Sequence, residues 1–174
     1  TKRWLADPTP TILVVNGGAH YHSERAFQEM LDGFLRAVDD SNRTQDLIFF
    51  RTTAPGHKDC QFHRAPYKNY TEYAAKITDL YDWNLMDVYN QYVRDKLRER
   101  KEESSQQKKN QTTTPTVHLL DIYNMTVLRP DGHVVGPKGD CLHYESPGPH
   151  DAWNQLLYSN LLDFAAEKQR LEEE

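Results

Sequence analysis

The residues best suited to chemistry lie in one stretch, Gly139-Asp140-Cys141-Leu142-His143-Tyr144, which runs on through Pro147-Gly148-Pro149-His150-Asp151-Ala152-Trp153-Asn154. An acid and a histidine stand three positions apart, just after a Gly/Pro turn and just before a helical stretch, so one turn of backbone holds both side chains on the same side. An aspartate beside an imidazole orients the ring and stabilises its protonated form, which is how a general base is built. The plainer account is a loop aspartate capping a backbone N–H beside an exposed histidine, and the D-x-x-H spacing alone favours it.

The elements that position these residues are read from periodicity. Residues 11–15 (Thr-Ile-Leu-Val-Val) form a short unalternating apolar run, as in a strand buried on both faces. It ends at Asn16-Gly17-Gly18-Ala19-His20-Tyr21-His22, a tight turn of the kind that holds ligands at the carboxyl end of a sheet. Asn16 either aims its amide at a developing oxyanion or holds the turn through backbone bonds. His20 and His22 make an H-x-H pair, too loose a pattern to define a metal site. Residues 46–50 form a second buried strand, followed by Arg51-Thr52-Thr53-Ala54-Pro55-Gly56-His57 and Cys60, where Arg51 binds substrate or makes a structural salt bridge. A third strand covers 116–122, and Arg129-Pro130-Asp131-Gly132-His133 reads as a turn.

Ser23 caps a helix that runs to about Val38, with Phe27, Met30, Leu31, Phe34, Leu35 and Val38 on a core face rather than a cofactor face. Helical spacing returns from Tyr70 to Val93, broken near Asp82-Trp83-Asn84, and its tyrosines are half-buried packing or the floor of a sugar site. Residues 98–114 read as a solvated helix end leading into a mobile polar loop over 102–115. Asp151 caps a last helix with Trp153, Leu156, Leu157, Asn160, Leu161 and Phe164 inside, and 167–174 is a solvated charge run. Strands alternate with helices, so the class is α/β with a parallel sheet.

The totals bound the rest. The 174 residues suffice for one domain with a core; 37% are hydrophobic and the mean hydropathy is -0.85, partly offset by ten Tyr and three Trp. The net charge of -5 and the lack of a basic stripe argue against nucleic acid as a partner, and no apolar run spans a membrane. The chain opens on Thr1 without a signal peptide and is read as a segment of a longer one. Four sequons, at Asn42, Asn69, Asn110 and Asn124, point to the secretory pathway. Cys60 and Cys141 are either two buried thiols or one disulfide joining the Cys60 loop to the loop of His143.

Four stretches occur in a recognisable order: Val14-Val-Asn16-Gly-Gly-Ala-His20; Phe49-Phe-Arg51-Thr-Thr-Ala-Pro-Gly-His57 with Cys60; Leu120-Asp-Ile122 with Arg129-Pro-Asp-Gly-His133; and Asp140-Cys-Leu-His143-Tyr with Pro147-Gly and Asp151-Ala-Trp-Asn154. Together they resemble the carboxyl-terminal part of the PC-esterase / trichome-birefringence-like family, within the SGNH (GDSL-type) superfamily. The resemblance covers about Leu13 to Leu162 and is weakest over 61–114. It implies a flavodoxin-like three-layer α/β/α sandwich, its first strand outside this segment, and a Ser-His-Asp site that moves acetyl groups to or from sugar hydroxyls in the Golgi lumen or outside the cell. In that pattern Asp140 orients His143, the general base; Asn16 and Gly18 match the oxyanion hole; Arg51, His20, His57 and Tyr144 bind substrate. The partners implied are a carbohydrate and an acyl donor or water, with no cofactor and no metal.

One departure is large. The family's nucleophile is the serine of a G-D-S motif at the end of the first strand. None of the six serines here (Ser23, Ser41, Ser104, Ser105, Ser146, Ser159) follows Gly-Asp, so the serine is expected upstream of this segment. The alternatives are a non-catalytic carbohydrate-binding relative that uses the tyrosine surface and, behind it, a metal-dependent hydrolase using His20, His22, Asp140 and His143. Catalysis through Cys60 ranks below both.

Overall fold

The computed structural model describes residues 2–107, 115–134 and 139–173. In chain order its elements are helix α1 (Lys2–Ala6), strand β1 (Ile12–Val15), α2 (Glu24–Ser41), β2 (Leu47–Arg51), α3 (Tyr70–Ala74), α4 (Met86–Gln107), β3 (Val117–Leu120), α5 (Tyr123–Thr126), β4 (His133–Val134), β5 (Asp140–Tyr144) and α6 (Pro149–Glu173). The class is mixed α/β with a parallel sheet. The chain divides into two compact units, Thr1–Ala54 with Thr78–Tyr123, and Pro55–Ile77 with Asn124–Glu174.

The first unit holds the parallel sheet, in the order β1-β2-β3. Ile12 pairs with Leu47 and Val15 with Phe50; Ile48 pairs with Val117 and Arg51 with Leu120. Helix α2 forms because its apolar residues recur at helical spacing: Phe27, Leu31, Phe34, Leu35 and Val38 are buried against the sheet core. Its start is capped by Ser23, whose Oγ accepts from the Ala26 N–H, and it ends on Asn42 in the left-handed conformation. Ile48, Phe50, Tyr89, Val93 and Leu97 complete that core, and the Phe27 and Tyr89 rings stack at 4.5 Å between centroids. Asp46, buried at the start of β2, accepts from Trp4 Nε1, the Thr11 N–H and Arg43, which ties the amino-terminal residues to the sheet.

Three expectations change in this unit. Strand β1 is not buried on both faces: Ile12 is 55% and Val14 41% exposed, while Leu13 and Val15 pack on the core. As the first strand in the described sheet it is paired along one edge only. The helical spacing after Tyr70 breaks earlier and harder than at 82–84. Tyr81 and Asp82 adopt positive φ (54° and 58°) within a 3-10 stretch, Leu80–Leu85, and α4 starts at Met86. Helix α4 then continues to Gln107, into the stretch expected to be loop, because Glu, Lys, Arg and Gln sustain a helix without packing. The rest of that polar loop, with Asn110, lies outside the described residues.

The second unit is organised around the antiparallel pair β4-β5. The D-x-x-H stretch, read above as loop, is strand β5, and its pairing is irregular. His133 faces Tyr144 and Val134 faces Asp140, so Cys141, Leu142 and His143 bulge out of the ladder. Cys60 and Cys141 are joined by a disulfide across 81 residues of sequence, which fixes the 3-10 turn Cys60–Phe62 beside the bulge. Helix α6 opens on Pro149, as suits a residue without an N–H, and Asp151 Oδ2 accepts the Gly148 N–H. Trp153 is buried and donates from Nε1 to Thr126 Oγ1 at 2.8 Å. The other residues expected inside this helix, Leu156, Leu157, Asn160, Leu161 and Phe164, are only half-buried, and the charge run through Glu173 is helical.

Phe27 is fully buried in the larger core, so Phe27→Ala is expected to cost about 3–5 kcal/mol, read as a lower urea midpoint at unchanged slope.

Candidate active site

Within the second unit Asp140 and His143 meet, for a reason that lies in the bulge. Asp140 Oδ1 accepts the backbone N–H groups of Leu142 and His143, each at 3.0 Å. Those two bonds turn the chain back on itself, whereas residues three apart on a regular strand point to opposite faces. His143 Nδ1 thereby comes to 2.6 Å from Asp140 Oδ2. Burial opposes the charge of Asp140, but the N–H groups of His143 and Leu142 and the His143 ring hold its carboxyl below the ordinary aspartate range. The pair faces water, with the side chains of His143 and Asp140 67% and 47% exposed. His143 Nε2 has no partner among the described residues, so it is available to take a proton from an incoming hydroxyl.

Behind β5 lies a second, buried imidazole pair. His57 Nδ1 and His133 Nε2 are 2.7 Å apart; His57 Nε2 faces the Val127 carbonyl at 2.9 Å and His133 Nδ1 the His143 carbonyl at 3.0 Å. Tyr144 stacks on His133 and donates its hydroxyl to the Pro55 carbonyl at 2.7 Å. Burial pushes His57 down to about 3 and His133 down to about 4, so both rings are neutral near pH 7. Tyr144 and His57, expected above to bind substrate, are 7% and 2% exposed; here they support the strand from within. Spacing did not reveal the pair, because its members lie 76 positions apart. Two histidines beside Pro/Gly turns were the one available signal.

In the first unit the carboxyl ends of the strands bind one another. Asn16 Nδ2 donates to the Arg51 carbonyl at 2.9 Å and to Thr53 Oγ1 at 3.0 Å. Both of its amide protons are thus engaged, and donation to an oxyanion requires one of these bonds to be exchanged. Asn90 clamps Thr53 from the other side, accepting its N–H and donating to its carbonyl. Gly18 is required by this contact, since a Cβ there would meet Thr53 Oγ1 at 2.0 Å. Arg51 is half-buried at the end of β2, and burial lowers its guanidinium pKa. Thr52 Oγ1 donates to Asp121, which also binds Arg94 at 2.8 Å, and accepts the N–H groups of Ile122 and Tyr123. His20 is exposed, and His22 pairs with Asp82 at 2.7 Å, a contact the sequence did not announce.

Asn16, Gly18, His20 and Arg51 therefore belong to the first unit, and Asp140, His143, His57 and Tyr144 to the second. Among the described residues no group of three or more His, Cys, Asp or Glu side chains is gathered to hold a metal ion. No described helix is long and apolar enough to cross a membrane. Asn42, Asn69 and Asn124 are exposed; Asn69 also caps α3 through Oδ1.

A model of the PC-Esterase family, described as a GDSL/SGNH-like acyl-esterase family found in Pmr5 and Cas1p, matches residues 16–160. The chain belongs to this family. It is 29% identical over 167 residues to the protein trichome birefringence-like 20 of Arabidopsis thaliana, covering 85% of this chain and 31% of that protein. It is 27% identical over 175 residues to trichome birefringence-like 25 of the same plant, covering 84% and 34%. A shorter match, 38% identical over 60 residues, is to the Arabidopsis xyloglucan O-acetyltransferase 1, covering 26% and 14%. The chain spans about a third of the length of the first two relatives.

The buried histidines have a consequence for acid stability. Their folded pKa values lie below the ordinary value of 6.5, so between the two the unfolded chain binds more protons and stability falls as pH falls. The urea midpoint is expected to drop from about pH 7 to about pH 5, and His133→Phe to flatten that drop. An unchanged slope in the variant would show that other groups carry it.

Proposed function

We propose that this chain supplies the acid–base half of an acyl-transfer site that moves acetyl groups to or from carbohydrate hydroxyls. His143 is the general base, Asp140 orients it, and the nucleophile is a serine in a part of the full-length protein upstream of this segment. The observation that carries the reading is the 2.6 Å contact between Asp140 Oδ2 and His143 Nδ1, in a side chain 67% exposed, in a member of an acyl-esterase family.

Asp140 takes the Nδ1–H and so sets the tautomer that leaves Nε2 basic. Nε2 accepts the serine proton as Oγ attacks the ester carbonyl, and the resulting imidazolium is stabilised by the carboxylate at its other nitrogen. The same proton then passes to the departing sugar oxygen, and a water or a second hydroxyl takes the acyl group from the serine. Gly18 N–H and Asn16 are assigned to the oxyanion, and Arg51 and His20 to substrate. We read the chain as part of a single SGNH-like domain, a three-layer α/β/α sandwich whose first strand precedes Thr1. The xyloglucan acetyltransferase among its relatives supports a polysaccharide substrate. The Cys60–Cys141 bridge and the exposed sequon asparagines support the Golgi lumen or the extracellular space.

In the full-length protein, His143→Ala is expected to lower kcat for p-nitrophenyl acetate by about 10³-fold or more, with KM little changed. Asp140→Asn is expected to cost less, about 10²-fold, because water already screens the exposed pair. Turnover that survives both changes overturns the reading. Glycan binding without any turnover in the parent protein points to the non-catalytic relative.

A further inference from the structure

The buried pair His57–His133 takes no part in the mechanism above, yet one end of it grips the backbone of His143. The pairing jumps from His133↔Tyr144 to Val134↔Asp140, so His143 sits at the edge of the bulge. The His143 carbonyl lies 3.0 Å from Nδ1 of His133, whose side chain thus meets the backbone of the bulge.

The chain of contacts from the Val127 carbonyl through His57 and His133 to the His143 carbonyl has three links, and two neutral imidazoles carry two N–H groups for them. If the shared proton sits on His133 Nε2, then Nδ1 presents a lone pair to the His143 carbonyl at 3.0 Å, an acceptor facing an acceptor. If it sits on His57 Nδ1, then His133 carries its proton on Nδ1 and donates to that carbonyl, and the Val127 carbonyl gives up its N–H. The surroundings of His57 favour the second arrangement. Tyr144 Oη gives its proton to the Pro55 carbonyl and lies 3.4 Å from the same Nδ1, so its lone pairs suit a protonated nitrogen there.

We propose that His57 and His133 are positioning residues for His143: His57 donates from Nδ1 to His133 Nε2, and His133 donates from Nδ1 to the His143 carbonyl, so that the bulge keeps the exposed ring against Asp140. The proposal rests on the reading of His143 as the general base. Its geometry is nonetheless a property of the chain whatever the reaction.

The two amide side chains separate this role from simple packing. An asparagine carries its N–H near the place of histidine Nδ1, and a glutamine near the place of Nε2. In the full-length protein, His133→Asn is expected to keep kcat for p-nitrophenyl acetate within about threefold of the parent, and His133→Gln to lower it by about 10–10²-fold with KM within about twofold. Equal kcat in parent, Asn and Gln variants overturns the proposal, as does a loss in all variants that merely tracks thermal stability. Independently of any variant's folding, long-range proton–nitrogen NMR of the parent near neutral pH is expected to show His133 protonated at Nδ1 and His57 at Nδ1. An unprotonated His133 Nδ1 overturns it. Turnover that persists in His143→Ala defeats the base reading instead, and the NMR result still decides the tautomer.

Discussion

The carboxylate of Asp140 is the interaction on which the candidate site depends. One oxygen accepts two successive backbone N–H groups and the other accepts the imidazole of the residue that donates the second of them. The same carboxylate that meets the His143 ring therefore also bends the strand that carries it. Without those backbone bonds, a residue three positions along a strand points to the opposite face, and the dyad would not exist.

An exposed pair of this kind is held weakly by its own attraction, since water screens it. Its rigidity has to come from behind. The Cys60–Cys141 bridge pins the first residue of the bulge, and the His57 N–H donates to the Cys141 carbonyl at 2.9 Å. The rings of His57, His133 and Tyr144 fill the space beneath. The second unit thus separates two uses of histidine by burial: a neutral pair inside that supports backbone, and an exposed ring outside that meets Asp140 and water.

The first unit uses its polar side chains differently. Asn16, Thr52, Thr53 and Asn90, with Asp121 and Arg94, satisfy the loose backbone groups where β2 and β3 end. Such ends expose N–H and C=O groups beyond the last ladder bond, and leaving them unpaired in a buried place is costly. Residue types that look poised for catalysis in a list of motifs are here occupied with one another.

Much of this was legible beforehand where the cause is local. The stripe from Phe27 to Val38, the Ser23 cap and the apolar runs of β2 and β3 follow from periodicity and capping chemistry, and each appears nearly where its pattern put it. Where the cause is an environment, the sequence was mute. The apolar run of β1 could not say that one of its faces is uncovered, nor the stripe of α6 that Trp153 is its buried member and the rest are half-buried. Asp140 and His143 were identifiable by type and spacing, although their strand and its bulge were not. By itself, then, the sequence determined the local elements and the residue types brought to the candidate site, because helix periodicity, capping and the D-x-x-H spacing act over a few residues. Only the tertiary structure decided which imidazole supports backbone and which faces water, because partners such as His57 and His133 lie 76 positions apart and burial, not residue type, sets their protonation.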